Sequence, residues 1–186
     1  MLISIKMKKN LERVIEIPKG IEIKAEGNII TVKGNEKELK KEFDKGKVLL
    51  KVEGDELKLS AKNSSRRESK MIGTIFAHVK NMIKGVGEDF VYNLEICNVH
   101  FPMNVKAEGD VIVIKSFLGE TKNRISKVVG GTKVEIKGNK IEVSSPDIEA
   151  AGQTAANLEK ATKLTGRDRR IFQDGIFITN KPWKKV

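Results

Sequence analysis

The side chains best suited to chemistry or to polyanion binding gather near the end of the chain. Lys160, Lys163, Arg167, Arg169, Arg170, Lys181, Lys184 and Lys185 stand there, interleaved with Phe172, Phe177 and Trp183. From residue 160 onward, 8 cations face 2 carboxylates, in a chain of 186 residues with a net charge of +11. Arginine offers phosphate a rigid bidentate fork, lysine a point charge, and aromatic rings can stack on unpaired bases, so this combination points to RNA. Arg167-Asp168-Arg169-Arg170-Ile171-Phe172-Gln173-Asp174-Gly175-Ile176-Phe177-Ile178 is no simple solvated tail, since such a tail has no need of Ile176, Phe177 and Ile178. We read it as a docked segment, anchored by Phe172, Asp174, Gly175, Ile176 and Phe177, that holds its arginines in fixed positions. Phe172 and Ile176 are expected to pack beneath it rather than stack on bases, while Trp183 fits either role. A second basic segment, Lys122, Arg124 and Lys127 ahead of Gly130-Gly131, reads equally as an RNA contact or as a wet hairpin loop.

Other chemistry is sparse. His78 and His100 belong to no set of Cys and His that could complete a metal site, and no HExxH, CxxC, GxSxG or Walker A pattern occurs. Asp168 and Asp174 sit among arginines, where structural ion pairs are the expectation and a metal-dependent nuclease pair the distant alternative. We therefore expect no enzyme, no cofactor, no metal and no small-molecule substrate. The single cysteine, Cys97, lies in Leu94-Glu95-Ile96-Cys97 and reads as a buried small hydrophobe. No apolar run reaches the roughly 18–20 residues that span a bilayer, so a cytoplasmic protein without a membrane partner is expected.

The elements that must position these residues come from a duplication. Lys24-Ala25-Glu26-Gly27-Asn28 through Lys33 aligns with Lys106-Ala107-Glu108-Gly109-Asp110 through Lys115, and Val52–Ser60 matches Ile136–Ser144 in pattern. In both halves a Gly-Asn or Gly-Asp dipeptide separates valine- and isoleucine-rich runs, a hairpin signal. The alternation of Val134 and Ile136 with Lys133, Glu135 and Lys137 predicts one buried and one wet face. A helix closes each half. The first is expected to start at Ser64 or Ser65, to bury Ile72, Ile75, Phe76, Val79, Met82 and Ile83, and to stop at Gly85 and Gly87. The second is expected to be capped by Ser145, with Pro146 at its first position and a stripe of Ile148, Ala151, Ala155, Leu158 and Ala161. Glu36–Asp44 suggests a further helical turn. The resulting fold class is α+β: two tandem duplicated modules, each an antiparallel β-sheet packed against one long α-helix. Residues 1–10 form an N-terminal extension, 11–84 the first module, 85–165 the second, and 166–186 the basic-aromatic C-terminal tail. Residues 85–159 carry 8 Lys and Arg against 11 Asp and Glu, so the positive charge of the second half resides in its tail.

The duplication, the KAEG-N/D hairpins and above all R-D-R-R-I-F-Q-D-G-I-F-I resemble the archaeal and eukaryal branch of large-subunit ribosomal protein family six, the universal uL-six. Its C-terminal signature is occupied by Arg167, Arg170, Phe172, Asp174, Gly175, Ile176, Phe177, Ile178 and Lys181, and the resemblance runs from Leu11 to Lys181. One departure is Lys160, where the pattern has glutamine. The resemblance implies a structural constituent of the large ribosomal subunit. It implies 23S-type rRNA as partner, near the stalk base and the sarcin–ricin loop, together with neighbouring large-subunit proteins. A freestanding RNA-binding protein or RNA chaperone is the competing class, expected to bind many RNAs alike with steep salt dependence.

Overall fold

Four glycine-led turns set the strand pairing. Gly27, Gly54, Gly109 and Gly138 each take a positive φ, between +58° and +62°. Each opens a two-residue loop, a conformation that Cβ-bearing residues adopt at a cost. The computed structural model describes residues 9–34, 37–44 and 46–185. They fall into two units, divided between Glu88 and Asp89.

The first unit contains β1 (Lys9–Glu16), β2 (Glu22–Glu26), β3 (Ile29–Gly34), β4 (Lys37–Glu42), β5 (Leu49–Glu53), β6 (Glu56–Ser64) and α1 (Arg66–Gly87). The strands form two antiparallel sheets rather than one, ordered β1-β6-β5 and β2-β3-β4. Where a helical turn was expected over Glu36–Asp44, Lys37–Glu42 pairs with β3, and Glu36 lies outside the described residues. The period of two wins because it lays Leu39, opposite Val32, against the core that a helix would spread around its circumference. Ser65 caps α1 in a capping box, accepting from the Arg67 N–H while Glu68 accepts from the Ser65 N–H. The Ser65 hydroxyl and backbone N–H bring the Glu68 carboxyl down to about 2. The helix does not stop at Gly85. Val86 is fully buried, and a Cβ at Gly34 would lie 2.9 Å from its Cγ1, so packing holds the last turn helical through Gly87. Phe76 is half-buried, with the Arg13 guanidinium 5.3 Å from its ring centre.

The second unit contains β7 (Phe90–Cys97), β8 (Asn104–Glu108), β9 (Val111–Lys115), a 3-10 turn at Phe117–Gly119, β10 (Arg124–Lys127), β11 (Lys133–Lys137), β12 (Lys140–Ser145), α2 (Ile148–Ala161), β13 (Gly175–Lys181) and β14 (Lys184–Lys185). It too has two antiparallel sheets, β10-β9-β8 and β11-β12-β7-β13-β14. The N-cap of α2, which has 14 residues, is Asp147 and not Ser145. Ser145 completes β12 opposite Phe90, and its hydroxyl donates to the Gly131 carbonyl and accepts from the Asp147 N–H. Among the described residues, no helix is long and apolar enough to cross a membrane.

The order β5-β6-β1 in the first unit corresponds to β11-β12-β7 in the second, and there the segment after α2 adds β13 alongside β7. The basic segment is thus built into the sheet. Ile176 is fully buried in the unit's core, and Ile178 packs on that core's margin.

Candidate nucleic-acid interface

Helix α2 ends at Ala161, and the chain then turns around Gly166 at φ +73°. Lys160 lies in the last turn of α2 and Lys163 just beyond it, both exposed. Exposed lysines near the negative end of a helix dipole are favourably placed whether or not an anion is bound. Arg167–Phe172 fold into a tight turn organised by Asp168. Its carboxylate accepts from the Arg170 N–H at 2.9 Å, and its carbonyl accepts from the N–H groups of Ile171 (3.2 Å) and Phe172 (2.9 Å). Asp168 is therefore spent on backbone, while Arg169 and Arg170 project exposed side chains. Among the described residues, Lys160, Lys163, Arg169 and Arg170 form no ion pair with a carboxylate.

Asp174 fastens this turn to the unit. The residue is 2% exposed, and its Oδ1 accepts from the backbone N–H groups of Val99 (2.8 Å) and His100 (2.9 Å). Its Oδ2 lies 2.6 Å from Nδ1 of His100. An ionised carboxylate can only accept, so Nδ1 carries the proton. Burial acts to raise the Asp174 carboxyl, and the backbone N–H of His100, its ring and the Val99 N–H outweigh this, holding the group below its ordinary range. The His100 ring in turn stacks on Phe172, with centroids 5.0 Å apart and planes 29° from parallel. The Arg167 guanidinium lies 4.8 Å from the Phe172 centroid, close enough for a cation–π contact.

Behind Asp174, Gly175 pairs with Cys97 at the start of β13, and the Ile176 N–H donates to the buried Thr162 hydroxyl at 2.9 Å. A Cβ on Gly175 would come within 3.2 Å of the Phe177 ring. Phe177 is half-buried and, with Cys97, Val99, Leu164, Phe172, Lys163 and Arg169, lines a groove of about 600 Å³. Cys97 is accordingly half-buried rather than fully enclosed. Burial, followed by Glu95 and Asp174, pushes its thiol up, away from the reactive thiolate.

Arg124 belongs to the protein's own framework. Its guanidinium donates to both Glu120 oxygens (2.8 and 2.6 Å) and to the carbonyls of Ala161 (2.9 Å) and Lys163 (3.3 Å), and it lies 4.2 Å from the Phe117 ring centre. It closes the carbonyl end of α2 and orients the segment before β10. These bonds also hold the Glu120 carboxyl below its usual range, with burial opposing. Four of the five N–H donors of Arg124 are thus engaged within the protein, in a segment expected to act either as an RNA contact or as a wet hairpin loop. Lys122 is exposed in the loop before β10. Lys127 and Lys160 border a shallow hollow of about 350 Å³ that includes Asn157 and the exposed Ile125.

Lys181 is exposed at the end of β13 and pairs with Lys184 across the terminal hairpin; the side chains of Lys184 and Lys185 lie outside the described residues. Trp183 is 56% exposed and packs edge-on to Phe90 at 5.2 Å. His100 is the residue that reading the sequence for function missed. It lies 74 positions from Asp174, beyond the reach of any local pattern. Among the described residues, no three His, Cys, Asp or Glu side chains converge as metal ligands.

The model of the family described as ribosomal protein L6 matches this chain twice, over residues 17–89 and 101–175. The large ribosomal subunit protein uL6 of Methanosarcina mazei is 43% identical over 175 residues, covering 94% of this chain and 99% of its own length. Those of Methanobrevibacter smithii and Saccharolobus solfataricus are 44% and 41% identical, covering 90% and 92% of this chain and 94% and 95% of their own. Two matches in tandem agree with the duplicated hairpins and with the division between Glu88 and Asp89, and the chain belongs to the ribosomal protein L6 family.

Proposed function

We propose that the protein is a structural constituent of the large subunit of the cytoplasmic ribosome, without catalytic activity of its own. It binds 23S rRNA near the stalk base and sarcin–ricin loop through its C-terminal unit, beside neighbouring large-subunit proteins. The observation that carries the reading is the set of four cations Lys160, Lys163, Arg169 and Arg170 at and just after the end of α2. These cations are exposed and make no ion pair among the described residues, yet stand on backbone held by α2, Asp168 and Asp174. Unpaired cations on rigid backbone are a poor stability device and a good phosphate reader, because little loop freedom remains to be lost on binding. Arg167 contributes from its stacked position, with Lys122 and the cluster of Lys181, Lys184 and Lys185 as outlying contacts.

The test is binding to an rRNA fragment containing the sarcin–ricin region and to a scrambled RNA, across a salt series. Truncation after Thr165 is unsuitable, because it strips β13 and the buried Ile176 from the sheet. Lys163→Ala/Arg169→Ala/Arg170→Ala leaves the fold in place. The wild-type chain should prefer the rRNA by about a hundredfold or more, and the triple variant should lower the salt slope by about 2–3. Equal affinity for both RNAs would support the freestanding RNA-binding alternative.

A further inference from the structure

We propose that His100 is a positioning residue for RNA binding: held by Asp174 on one side and stacked on Phe172 on the other, it sets the orientation of the Arg167–Arg170 turn. The proposal rests on the reading of that turn as an RNA contact. The hydrogen bonds centred on Asp168 are internal to the turn; they give it shape but do not aim it relative to β7. Phe172 makes the turn's one ring contact with the rest of the unit among the described residues, and its partner is His100. The histidine is fixed through two atoms, its backbone N–H and its Nδ1–H, both donating to a carboxylate with 2% exposure. Arg167 then lies against the same Phe172 ring, so the orientation runs from Asp174 through His100 and Phe172 to a guanidinium.

Histidine suits this place because one side chain must supply both a ring donor and a flat face. Phenylalanine supplies only the face, and alanine neither. Because the His100 ring acts through Phe172, its loss should harm discrimination between RNAs more than attraction to RNA in general, which the number of cations determines.

The experiment compares full-length wild type with His100→Ala and His100→Phe. In the free protein, amide exchange by NMR at Ile171 and Phe172, whose N–H groups reach the Asp168 carbonyl, should accelerate about tenfold in His100→Ala, with β12 and α2 unchanged. His100→Phe should fall between it and wild type. Preference for the sarcin–ricin fragment over scrambled RNA should drop about fivefold or more in His100→Ala, while affinity for scrambled RNA at matched salt stays the same. Unchanged exchange together with unchanged preference overturns the proposal. Lost preference with unchanged exchange also overturns it, since His100 would then touch RNA itself. Should the alanine variant unfold the unit, exchange in His100→Phe identical to wild type overturns the hydrogen-bonded half of the proposal, and an intermediate rate supports it. A wild-type chain with no preference between the RNAs removes the RNA reading alone, and the exchange data still decide the positioning role.

Discussion

Replacing Asp174 by alanine removes an acceptor used by three donors, at 2.8, 2.9 and 2.6 Å. A hydrogen bond to a charged group contributes about 1.5–3 kcal/mol, and a buried donor left unpaired costs about 1–3 kcal/mol. Against this, the variant is relieved of desolvating a carboxylate, and the His100 ring, one third exposed, can turn to water. The balance is a loss of about 3 kcal/mol, or about 12–24 °C in Tm for a unit of about 100 residues. Asp174→Asn keeps an oxygen for the two backbone N–H groups and forces only a tautomer change on His100, so it should lose about 1 kcal/mol. The assay is urea unfolding followed by the emission of Trp183, the single tryptophan, which reports on the second unit through its contact with Phe90. Alanine and asparagine variants of equal stability would refute the reasoning, as would an alanine variant within about 1 kcal/mol of wild type.

Three further outcomes follow from the same geometry. Arg124→Ala should destabilise the second unit by about 2 kcal/mol through loss of the Ala161 and Lys163 carbonyl bonds, while the salt slope of RNA binding stays unchanged; a slope lower by about 1 would return Arg124 to the interface. Gly175→Ala should cost about 2 kcal/mol in thermal melts, since its φ of +155° strains a Cβ that would already meet Phe177 at 3.2 Å. The folded Asp174 carboxyl lies below its ordinary value of 3.8, so the unfolded chain takes up the proton first. Its stabilisation is therefore complete above about pH 4 and lost as pH falls further, and Asp174→Asn should flatten the urea midpoint in that window.

Local pattern determined a great deal here. A glycine followed by Asn or Asp between β-branched runs places a hairpin turn whatever surrounds it, because only the backbone conformation of two residues is at stake. The amphipathic stripe from Ile72 to Ile83 likewise announced α1, with Ser64 or Ser65 as its cap, and the structure selects Ser65. The repeat and the Arg167–Lys181 signature carried the family. Partnerships over long sequence separation were a different matter. Nothing near Arg124 in the chain tells that the carbonyls of Ala161 and Lys163 will come within reach, and so a cation that looked free is bound. Nothing near His100 foretells Asp174. Even the helix starts depended on neighbours: Ser145 is a good cap in isolation, but pairing of β12 with β7 extends the strand through it and moves the cap to Asp147. Charge and turn chemistry are properties of a few adjacent residues, whereas the availability of a side chain for RNA depends on what the fold has already placed beside it. The sequence by itself thus determined which residues could bind a polyanion, and the tertiary structure decided which of them the protein uses to hold itself together.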